Sequence, residues 1–462
     1  TKSLIMRADG SIAGSAQVKY DVLRPKAGFA EQDIETLWKA VRDTLVSLTT
    51  AHPHEAEQIK SIGFSGQMHG LVLIDSEGKA LRNAIIWEDQ RSVCEVEQIY
   101  AAIPEEQFCA KTLNTLSTGF LISSLIWVRN NEPELFSRTS YVLMIKDYIR
   151  YRMCGEIACD TSDASSSSAF DTTKRDWAWT IIERLGLPCD IFPKCHEAHE
   201  TAGVLNARIA EETGLPPGIS MVYGGGDTLM HEVGTCTIDE TKPWVANIGT
   251  SCQVSCAVSA PIHDAQYRTN TFCHVKKDLW MLMSANLCGG AAIKWLSDMV
   301  FRGMRIDDMN AMAARVPVGS DGLIFLPYLS GARSPDNDPH ARAMFMGLML
   351  KHGQEHLVRA TMEGVVYSLK NAYILLQSIT GKTPDRIVAS GGGARSELLL
   401  QMQADAMDRP VYTTVEAEQS CIGAAITAAV GIGFYCSFAE GCESAVRFNQ
   451  RVIEPMPTAA VM

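Results

Sequence analysis

The chain has 462 residues, of which 46% are hydrophobic and 20% charged, and its formal net charge is −12. This length exceeds what one hydrophobic core ordinarily organises, so we expect at least two domains. The acidic balance argues against a surface that binds nucleic acid or an anionic membrane. The same acidic balance is compatible with a small phosphorylated substrate in a local basic or glycine-lined pocket.

The chain contains fourteen cysteines, several of them in apolar stretches such as those around Cys252 and Cys273. No CxxC pair and no signal peptide are visible, so the sequence predicts reduced thiols in a cytoplasmic protein. The uncharged run of residues 421–438 is about long enough to cross a membrane. Its glycine and alanine content instead favours a closely packed helix followed by a turn, and we expect no membrane contact.

The first half alternates between strand and helix patterns, which predicts an α/β organisation. Residues 3–20 are typical of two strands joined by an Ala-Asp-Gly turn, and a similar unit recurs at residues 70–87. Apolar residues follow helical spacing over residues 33–48. The serine-rich residues 161–171 are predicted to form a solvated polar loop, and residues 220–227 a buried strand that ends in glycines.

The pattern restarts after residue 241, with strands, glycine turns and a long helix. The proline and acidic residues of 238–243 are typical of a connection, and we place a domain boundary there. The predicted domains are residues 1–240 and residues 241–435. A final segment, residues 436–462, is expected to pack back on the first domain.

Three glycine turns stand out in the second half, at 249–250, 289–290 and 391–393. A strand, a glycine turn and a helix together aim backbone N–H groups at an anion, so phosphate binding is one interpretation and tight packing of helix on strand is the other. No GxxxxGK[ST] motif, no GxGxxG motif followed by an acidic residue and no protein-kinase signature occurs. These absences argue against a P-loop protein, a dinucleotide-binding protein and a protein kinase.

Two loops in the first half suggest a different kind of site. SGQMHG places Met68 and His69 after a predicted strand, and IIWEDQRS places Trp87 and Asp89 after another. Polar groups beside a tryptophan suit a polyhydroxylated ligand, although a capped loop and a core tryptophan would give the same pattern.

The stretch GGGDTLMHEVG, residues 224–234, brings Asp227 to the end of a glycine run. A glycine run costs conformational entropy, so we expect something to approach this backbone closely. The residues alone leave three roles open for Asp227: a catalytic base, a metal ligand, or the cap of the following helix.

Nine stretches follow one another along the chain: SIGFSGQMHGLVLID, LRNAIIWEDQRS, KDYIRYRMCGEIACDTSDAS, GGGDT, NIGTS, GGAAIKWL, YLSGARSPDNDPHARAMFMGL, ATMEGVVYSLK and ASGGGARSELLLQMQAD. Taken in this order, they resemble the FGGY carbohydrate kinases, from about residue 1 to about residue 435. The QMHG loop with the following W-x-D-x-R is most similar to the xylulokinase branch of that family.

The resemblance implies an α/β protein with two domains of the ribonuclease-H-like, actin-like ATPase fold and a cleft between them. The first domain would bind the sugar and the second would bind ATP with Mg²⁺. The implied reaction is phosphorylation of D-xylulose to D-xylulose 5-phosphate. Asp227 matches the catalytic base of the family and is a possible contact of Mg²⁺. The resemblance also suggests a homodimer.

Further residues are matched one by one. Met68 and His69 match sugar contacts, Trp87 and Asp89 belong to the same motif, and Thr228 directly follows the base. Nucleotide-binding turns are matched by Gly249, Thr250, Gly290, Gly392, Gly393 and Ser396.

Four departures from the family pattern keep other functions open. Thr228 stands where asparagine is usual, His231 where a small residue is common, and Ser124 where lysine is usual. The Asp-x-Gly-Thr-Thr turn that opens the family pattern has no counterpart, and we expect residues upstream of Thr1 to supply it. The alternatives are a kinase for another ketose or polyol, and a catalytically silent protein that binds nucleotide or sugar.

Overall fold

The computed structural model describes residues 1–338 and 340–456, and its second half is built on one six-stranded sheet. The first four strands pair antiparallel with their neighbours, and the last three pair parallel. The central strands are almost fully buried, as expected when both faces of a sheet are covered. In spatial order the strands are Asn270–Cys273, Trp280–Asn286, Cys252–Val258, Trp244–Ile248, Ile387–Ser390 and Val411–Tyr412.

Helices cover this sheet, and the longest, Gln354–Thr380, buries Val358, Val365, Leu369 and Leu376 against it. All residues from 358 to 366 are buried, so this part of the helix is covered on every side rather than on one face. A hairpin of Ile324–Leu326 and Met344–Met346 lies beside it. The other regular elements of this half are the helices Gly290–Trp295, Ile306–Ala313 and Glu397–Met407 and the short turns Leu296–Val300, Ser320–Gly322 and Gly392–Arg395.

The first half is assembled from short strand pairs. The pieces Ser61–Ile62 and Ser65–Gly66 run parallel to Ser220–Val222 and Gly225–Gly226. The remaining strands are Lys2–Met6, Ile12–Gln17, Glu31–Gln32, Val72–Ile74, Ala84–Ile85, Tyr141–Leu143, Cys159–Asp160, Phe170–Asp171, Asp176–Trp177, Cys195–His196 and Thr201–Val204.

Three helices of the first half begin at a residue whose side chain caps them: Asp33, Asp160 and Asn206. Asp33 accepts a hydrogen bond from Thr36 N at 2.9 Å and starts the helix Ile34–Ala51, which the apolar spacing predicts. The other helices are Pro53–Ala56, Val93–Ala102, Glu105–Thr112, Leu121–Asn131, Pro133–Ser137, Ile145–Cys154, Thr161–Ala164, Trp179–Arg184, Ala207–Thr213 and Asp227–Gly234, with short turns at Ser165–Ser167 and Cys189–Ile191.

The expectation that residues 161–171 form a solvated loop is wrong. Ser165 to Ser168 are each at most 1% exposed. Their burial is possible because backbone groups pair with several of the hydroxyls: Ser165 Oγ donates to Ser162 O at 2.7 Å, and Ser167 Oγ accepts from Ala169 N at 3.0 Å. A run of serines is therefore part of the interior here.

The uncharged run of residues 421–438 contains most of the helix Gln419–Gly431, which packs against Asp227–Gly234. In the described part of the chain, no helix combines the length and the hydropathy needed to cross a membrane. A Cβ atom on Gly423 would lie 1.9 Å from Met230 O, and one on Gly234 would lie 2.0 Å from Gln419 O. Glycine at both positions therefore allows the two backbones to touch.

The described part of the C-terminal segment contacts both halves. Arg447 Nη2 donates to Asp9 O at 2.9 Å, and Tyr435, directly before the segment, donates through Oη to Ala8 O at 3.0 Å. Ile453 instead pairs with Val411 at the edge of the large sheet. Residues 457–462 of the predicted final segment lie outside the described residues, and the three-part division of the chain stays a prediction.

We predict that Gly423→Ala lowers the free energy of unfolding by roughly 1–2 kcal/mol. Helix propensity alone would favour alanine by about 1 kcal/mol, but forcing a methyl group to within 1.9 Å of the backbone oxygen Met230 O costs about 2–3 kcal/mol, the upper part of the usual range for overpacking. Denaturant unfolding would measure the change. The control is Ala425→Leu in the same helix, because Ala425 lines a groove of about 650 Å³. Equal or greater stability of Gly423→Ala would contradict the close contact.

Candidate active site

The predicted sugar-site residues follow two neighbouring parallel strands. Gly225 pairs with Ser65, and Gly226 pairs with Gly66. Because parallel strands end at the same edge of a sheet, the loop that holds Met68 and His69 and the helix that begins at Asp227 emerge side by side.

Asp227 is the first residue of its helix, and its carboxylate is partly buried. Asp227 Oδ1 accepts hydrogen bonds from Thr228 N at 2.7 Å and from Thr228 Oγ1 at 3.3 Å. Asp227 Oδ2 has no hydrogen-bond donor among residues 1–338 and 340–456. Burial raises the pKa of Asp227 to about 6. The helix cap position belongs to Gly226, so capping in the usual sense does not explain this aspartate.

Close neighbours on both sides explain the glycine run. A Cβ atom on Gly225 would lie 2.5 Å from Ser162 Oγ, and one on Gly226 would lie 2.8 Å from Met68 Cγ. Ser162 Oγ also accepts a hydrogen bond from Gly226 N at 3.2 Å. The backbone before Asp227 is therefore held between a serine and a methionine, and side chains at these two positions would displace it.

His69 is held by its backbone and by its ring. Its nitrogen Nδ1 lies 2.7 Å from Ser166 O, and its ring stacks on Phe120 with centroids 4.0 Å apart. Since a carbonyl only accepts, this contact assigns the proton to Nδ1 and leaves Nε2 as an acceptor. Burial lowers the pKa of His69 to about 4. The neutral ring can therefore accept a hydrogen bond from a ligand hydroxyl at Nε2.

Trp87 and Asp89 are placed differently from Met68 and His69. The Trp87 side chain is 51% exposed. Asp89 is buried, and its two oxygens accept from Ala30 N at 2.6 Å and from Arg91 Nε at 2.9 and 3.0 Å. The carboxylate of Asp89 is thus already paired inside the protein, and sugar contacts by either residue stay predictions.

The three residues that depart from the family pattern lie at or near the core. Thr228 donates to Asp227, as described above. His231 is 8% exposed, and neither of its ring nitrogens has a hydrogen-bond partner in the described residues; burial lowers its pKa to about 4. Ser124 is fully buried, and its hydroxyl is likewise unpaired within residues 1–338 and 340–456.

A buried charge network behind the glycine run was not predicted from the sequence. Lys146 Nζ lies 2.5 Å from Asp147 Oδ1 and 2.8 Å from Asp160 Oδ1. Asp160 Oδ2 in turn accepts from Ser162 N at 2.8 Å. Burial would lower the pKa of Lys146, but the neighbouring carboxylates raise it above its usual value. An ammonium group already lies among these carboxylates, so the cluster is not a vacant cation site.

Asp163 belongs to the same network but is less well paired. Its closest cation is Lys146 Nζ at 4.0 Å, and both of its oxygens lack a hydrogen-bond partner in the part of the chain that the structure describes. Burial raises the pKa of Asp163 well above its usual value, and the charge of Asp227 adds to this shift. The spacing K-D-x-x-R shortly before D-x-S-D is the signal that could have indicated this network.

The three predicted nucleotide turns lie at one edge of the large sheet. Strands Trp244–Ile248, Trp280–Asn286 and Ile387–Ser390 all run in the same direction, so the turns that follow them meet. Gly290 N donates to Gly249 O at 2.8 Å, which joins the first two turns. A Cβ atom on Gly290 would lie only 2.6 Å from Gly249 O, so this contact requires glycine.

The third turn leads into a cavity. Gly391 has a φ of 74°, and a Cβ atom there would lie 2.7 Å from Ile248 O, next to the first turn. Ser396 Oγ accepts from Leu399 N at 3.3 Å and donates to Asn310 Oδ1 at 3.0 Å. A cavity of about 420 Å³ opens beside Ser396 and Asn310. The turns therefore lead from a glycine-lined edge into a space beside a helix N-terminus.

The chain matches known families over most of its length. Residues 1–234 match the N-terminal domain of the FGGY family of carbohydrate kinases, and residues 244–432 match its C-terminal domain. A xylulose kinase from Bacillus subtilis (strain 168) is 31% identical over 446 residues, which cover 96% of this chain and 89% of the relative. A gluconokinase from the same organism is 30% identical over 450 residues, covering 95% of this chain and 86% of the relative.

Solved structures agree with these matches. A structure described as a xyloylose kinase from Brucella ovis has a TM-score of 0.93 and 32% identity, and it covers 100% of this chain and 93% of its own. The predicted fold class, a two-domain actin-like ATPase fold of the α/β class, is confirmed. So is the predicted enzyme class, an ATP-dependent phosphotransferase that acts on a carbohydrate. The chain belongs to the FGGY family of carbohydrate kinases.

Proposed function

We propose that this kinase phosphorylates D-xylulose to D-xylulose 5-phosphate, with Asp227 as the general base. The observation that carries the proposal is the free Oδ2 of Asp227, placed beside the loop of Met68 and His69. The relatives named xylulose kinase support the choice of sugar. Another relative is named a gluconokinase, and that name points to a different substrate, D-gluconate.

In the proposed reaction, Asp227 Oδ2 accepts the proton of the attacking sugar hydroxyl. The hydroxyl oxygen forms a bond to the γ-phosphorus of ATP, and the bond from that phosphorus to the β,γ-bridging oxygen breaks, so that ADP leaves. A base is useful because the hydroxyl becomes a better nucleophile as its proton departs. Both hydrogen bonds from Thr228 go to Oδ1, so Oδ2 would be the oxygen that accepts the proton.

His69 and Met68 are proposed to position the sugar. His69 Nε2 would accept a hydrogen bond from a sugar hydroxyl, and its stacking on Phe120 fixes the ring plane. Met68 is 6% exposed and lies against Gly226, so it provides an apolar surface next to the base. Fixed side chains of this kind lower the entropic cost of alignment.

ATP is proposed to bind along the three glycine turns, with its adenosine part in the cavity beside Ser396. Backbone N–H groups near Gly249, Thr250 and Gly290 would face the phosphates, as at other anion-binding turns. Mg²⁺ prefers oxygen donors and usually keeps several of its waters, so Asp227 would contact the ion through one of these waters while Oδ2 stays available as the base. When bound with ATP, Mg²⁺ neutralises charge on the β- and γ-phosphates.

Asp227→Asn should lower kcat by roughly 10²–10⁴-fold, because the amide cannot accept the hydroxyl proton. ADP release with Mg-ATP and D-xylulose would measure this. Nucleotide affinity, measured by calorimetry, should stay close to that of the parent protein. Near-normal turnover of the variant would rule out Asp227 as the base.

The rate should also depend on pH in a defined direction. Burial raises the pKa of Asp227 to about 6, and only the ionised carboxylate can accept a proton, so kcat/KM should fall below about pH 6. His69 cannot produce this limb, because burial lowers its pKa to about 4. A flat profile between pH 5 and pH 8 would contradict the assignment, as would an unchanged acidic limb in the residual activity of Asp227→Asn.

A second candidate is a kinase for another sugar or polyol, which Thr228, His231 and the gluconokinase relative favour. Relative kcat/KM for D-xylulose, other ketoses, polyols and D-gluconate would distinguish the two candidates. We expect D-xylulose to be preferred by at least about tenfold, which corresponds to about 1.4 kcal/mol of transition-state binding. A higher kcat/KM for any other member of the panel would favour the second candidate.

A further inference from the structure

Arg333 lies in a loop of the second half that closes on itself. Asn337 N donates to Arg333 O at 2.7 Å, and Ala332 N donates to Asp338 O at 2.8 Å. The Oγ of the next residue, Ser334, lies 2.6 Å from Ser284 Oγ in the strand Trp280–Asn286. The loop is thus tied to the large sheet at the residue next to Arg333.

The Arg333 guanidinium is mostly buried, yet no acceptor faces it within residues 1–338 and 340–456. Every other arginine that is at least partly buried there has a carboxylate or a carbonyl oxygen as its partner. Arg91 pairs with Asp89, and Arg359 pairs with Glu363. Burial lowers the pKa of Arg333, and no neighbouring carboxylate opposes this shift.

The loop that carries Arg333 and the loop that carries His69 come from opposite halves and meet at the strand Asn270–Cys273. Phe272 of this strand lies 6.1 Å from the His69 ring, centroid to centroid. Arg268 O, just before the strand, accepts a hydrogen bond from Ser334 Oγ, next to Arg333. Burial is the main cause of the lowered pKa of His69, and the positive charge of Arg333 adds to it. The strand therefore brings the loop of the cation beside the loop of the neutral imidazole.

We propose that Arg333 binds the phosphoryl group that is transferred to the sugar, through the oxygens of the γ-phosphate and then of the phosphorylated product. A planar guanidinium matches phosphate oxygens in pairs, and a desolvated cation without a counter-ion gains most from an oxyanion. The role rests on the proposed sugar kinase function. It adds a contact from the second half to the sugar end of the cleft.

The guanidinium of Arg333 could also bind the carboxylate of a substrate. Experiments can distinguish that carboxylate from the phosphoryl group. If the substrate were an aldonate such as gluconate, Arg333 would pair with the carboxylate of the substrate itself. The phosphoryl group is the better ligand for Arg333, because the reaction of this family always brings that group to the cleft, whereas a ketose carries no charge.

The test compares Arg333→Gln and Arg333→Lys with the parent protein by calorimetry, using inorganic phosphate, D-xylulose and D-gluconate as separate ligands. Arg138→Gln, at an exposed site outside the cleft, controls for the loss of one positive charge. We expect Arg333→Gln to weaken phosphate binding at least tenfold and to leave D-xylulose binding within about twofold. Arg333→Lys should recover part of the loss, because it keeps the charge but not the planar pair of donors.

Steady-state kinetics with D-xylulose give the second readout. Removal of one preorganised donor to the transferred group should lower kcat by roughly 10²–10³-fold with little change in KM for the sugar. Unchanged phosphate affinity in Arg333→Gln overturns the proposal, and so does a loss of affinity confined to gluconate. The phosphate result stands even if the parent protein does not turn over D-xylulose, so failure of the substrate assignment remains distinguishable. Melting temperatures within a few degrees of the parent value verify that both variants fold.

Discussion

The candidate site depends on the parallel pairing of Ser65–Gly66 with Gly225–Gly226. This pairing fixes where two strands end, and therefore where the loop of His69 and the helix of Asp227 begin. The glycines allow it, because Met68 and Ser162 close on the same backbone from two sides. The position of the Asp227 carboxylate is well defined as a result, since the peptide just before it has little freedom to move.

The buried charge network of Lys146 and Asp160 supports this arrangement. Asp160 pairs with Lys146 and accepts a hydrogen bond from Ser162 N. Ser162 Oγ in turn accepts a hydrogen bond from Gly226 N. A buried ion pair is poor evidence of stability, because desolvation offsets much of the attraction. Its value here is geometric: the pairing leaves Ser162 one favourable orientation, and Ser162 sets the position of the chain that carries Asp227.

Much of this could be predicted from the sequence because the signals are local. A strand pattern followed by glycines indicates a sheet edge, and both Asp227 and His69 follow such patterns. The burial of Ser165 to Ser168 could not be predicted, because their hydroxyls are satisfied by backbone groups that only the fold brings near. The role of Arg333 could not be predicted for a related reason. What distinguishes Arg333 is that its guanidinium has no partner among the described residues, and only the folded structure shows which arginines are paired.

The contact between the helices Gln419–Gly431 and Asp227–Gly234 bears on the order in which the protein forms during synthesis. Ser420 Oγ donates to Asp227 O at 2.9 Å, and Gly423 lies against Met230. A growing chain that has not yet released residue 431 from the ribosome lacks the surface on which the helix of Asp227 packs. The carboxylate of Asp227 is therefore held in place only after residue 431 has left the ribosome, and a shorter nascent chain has no assembled site.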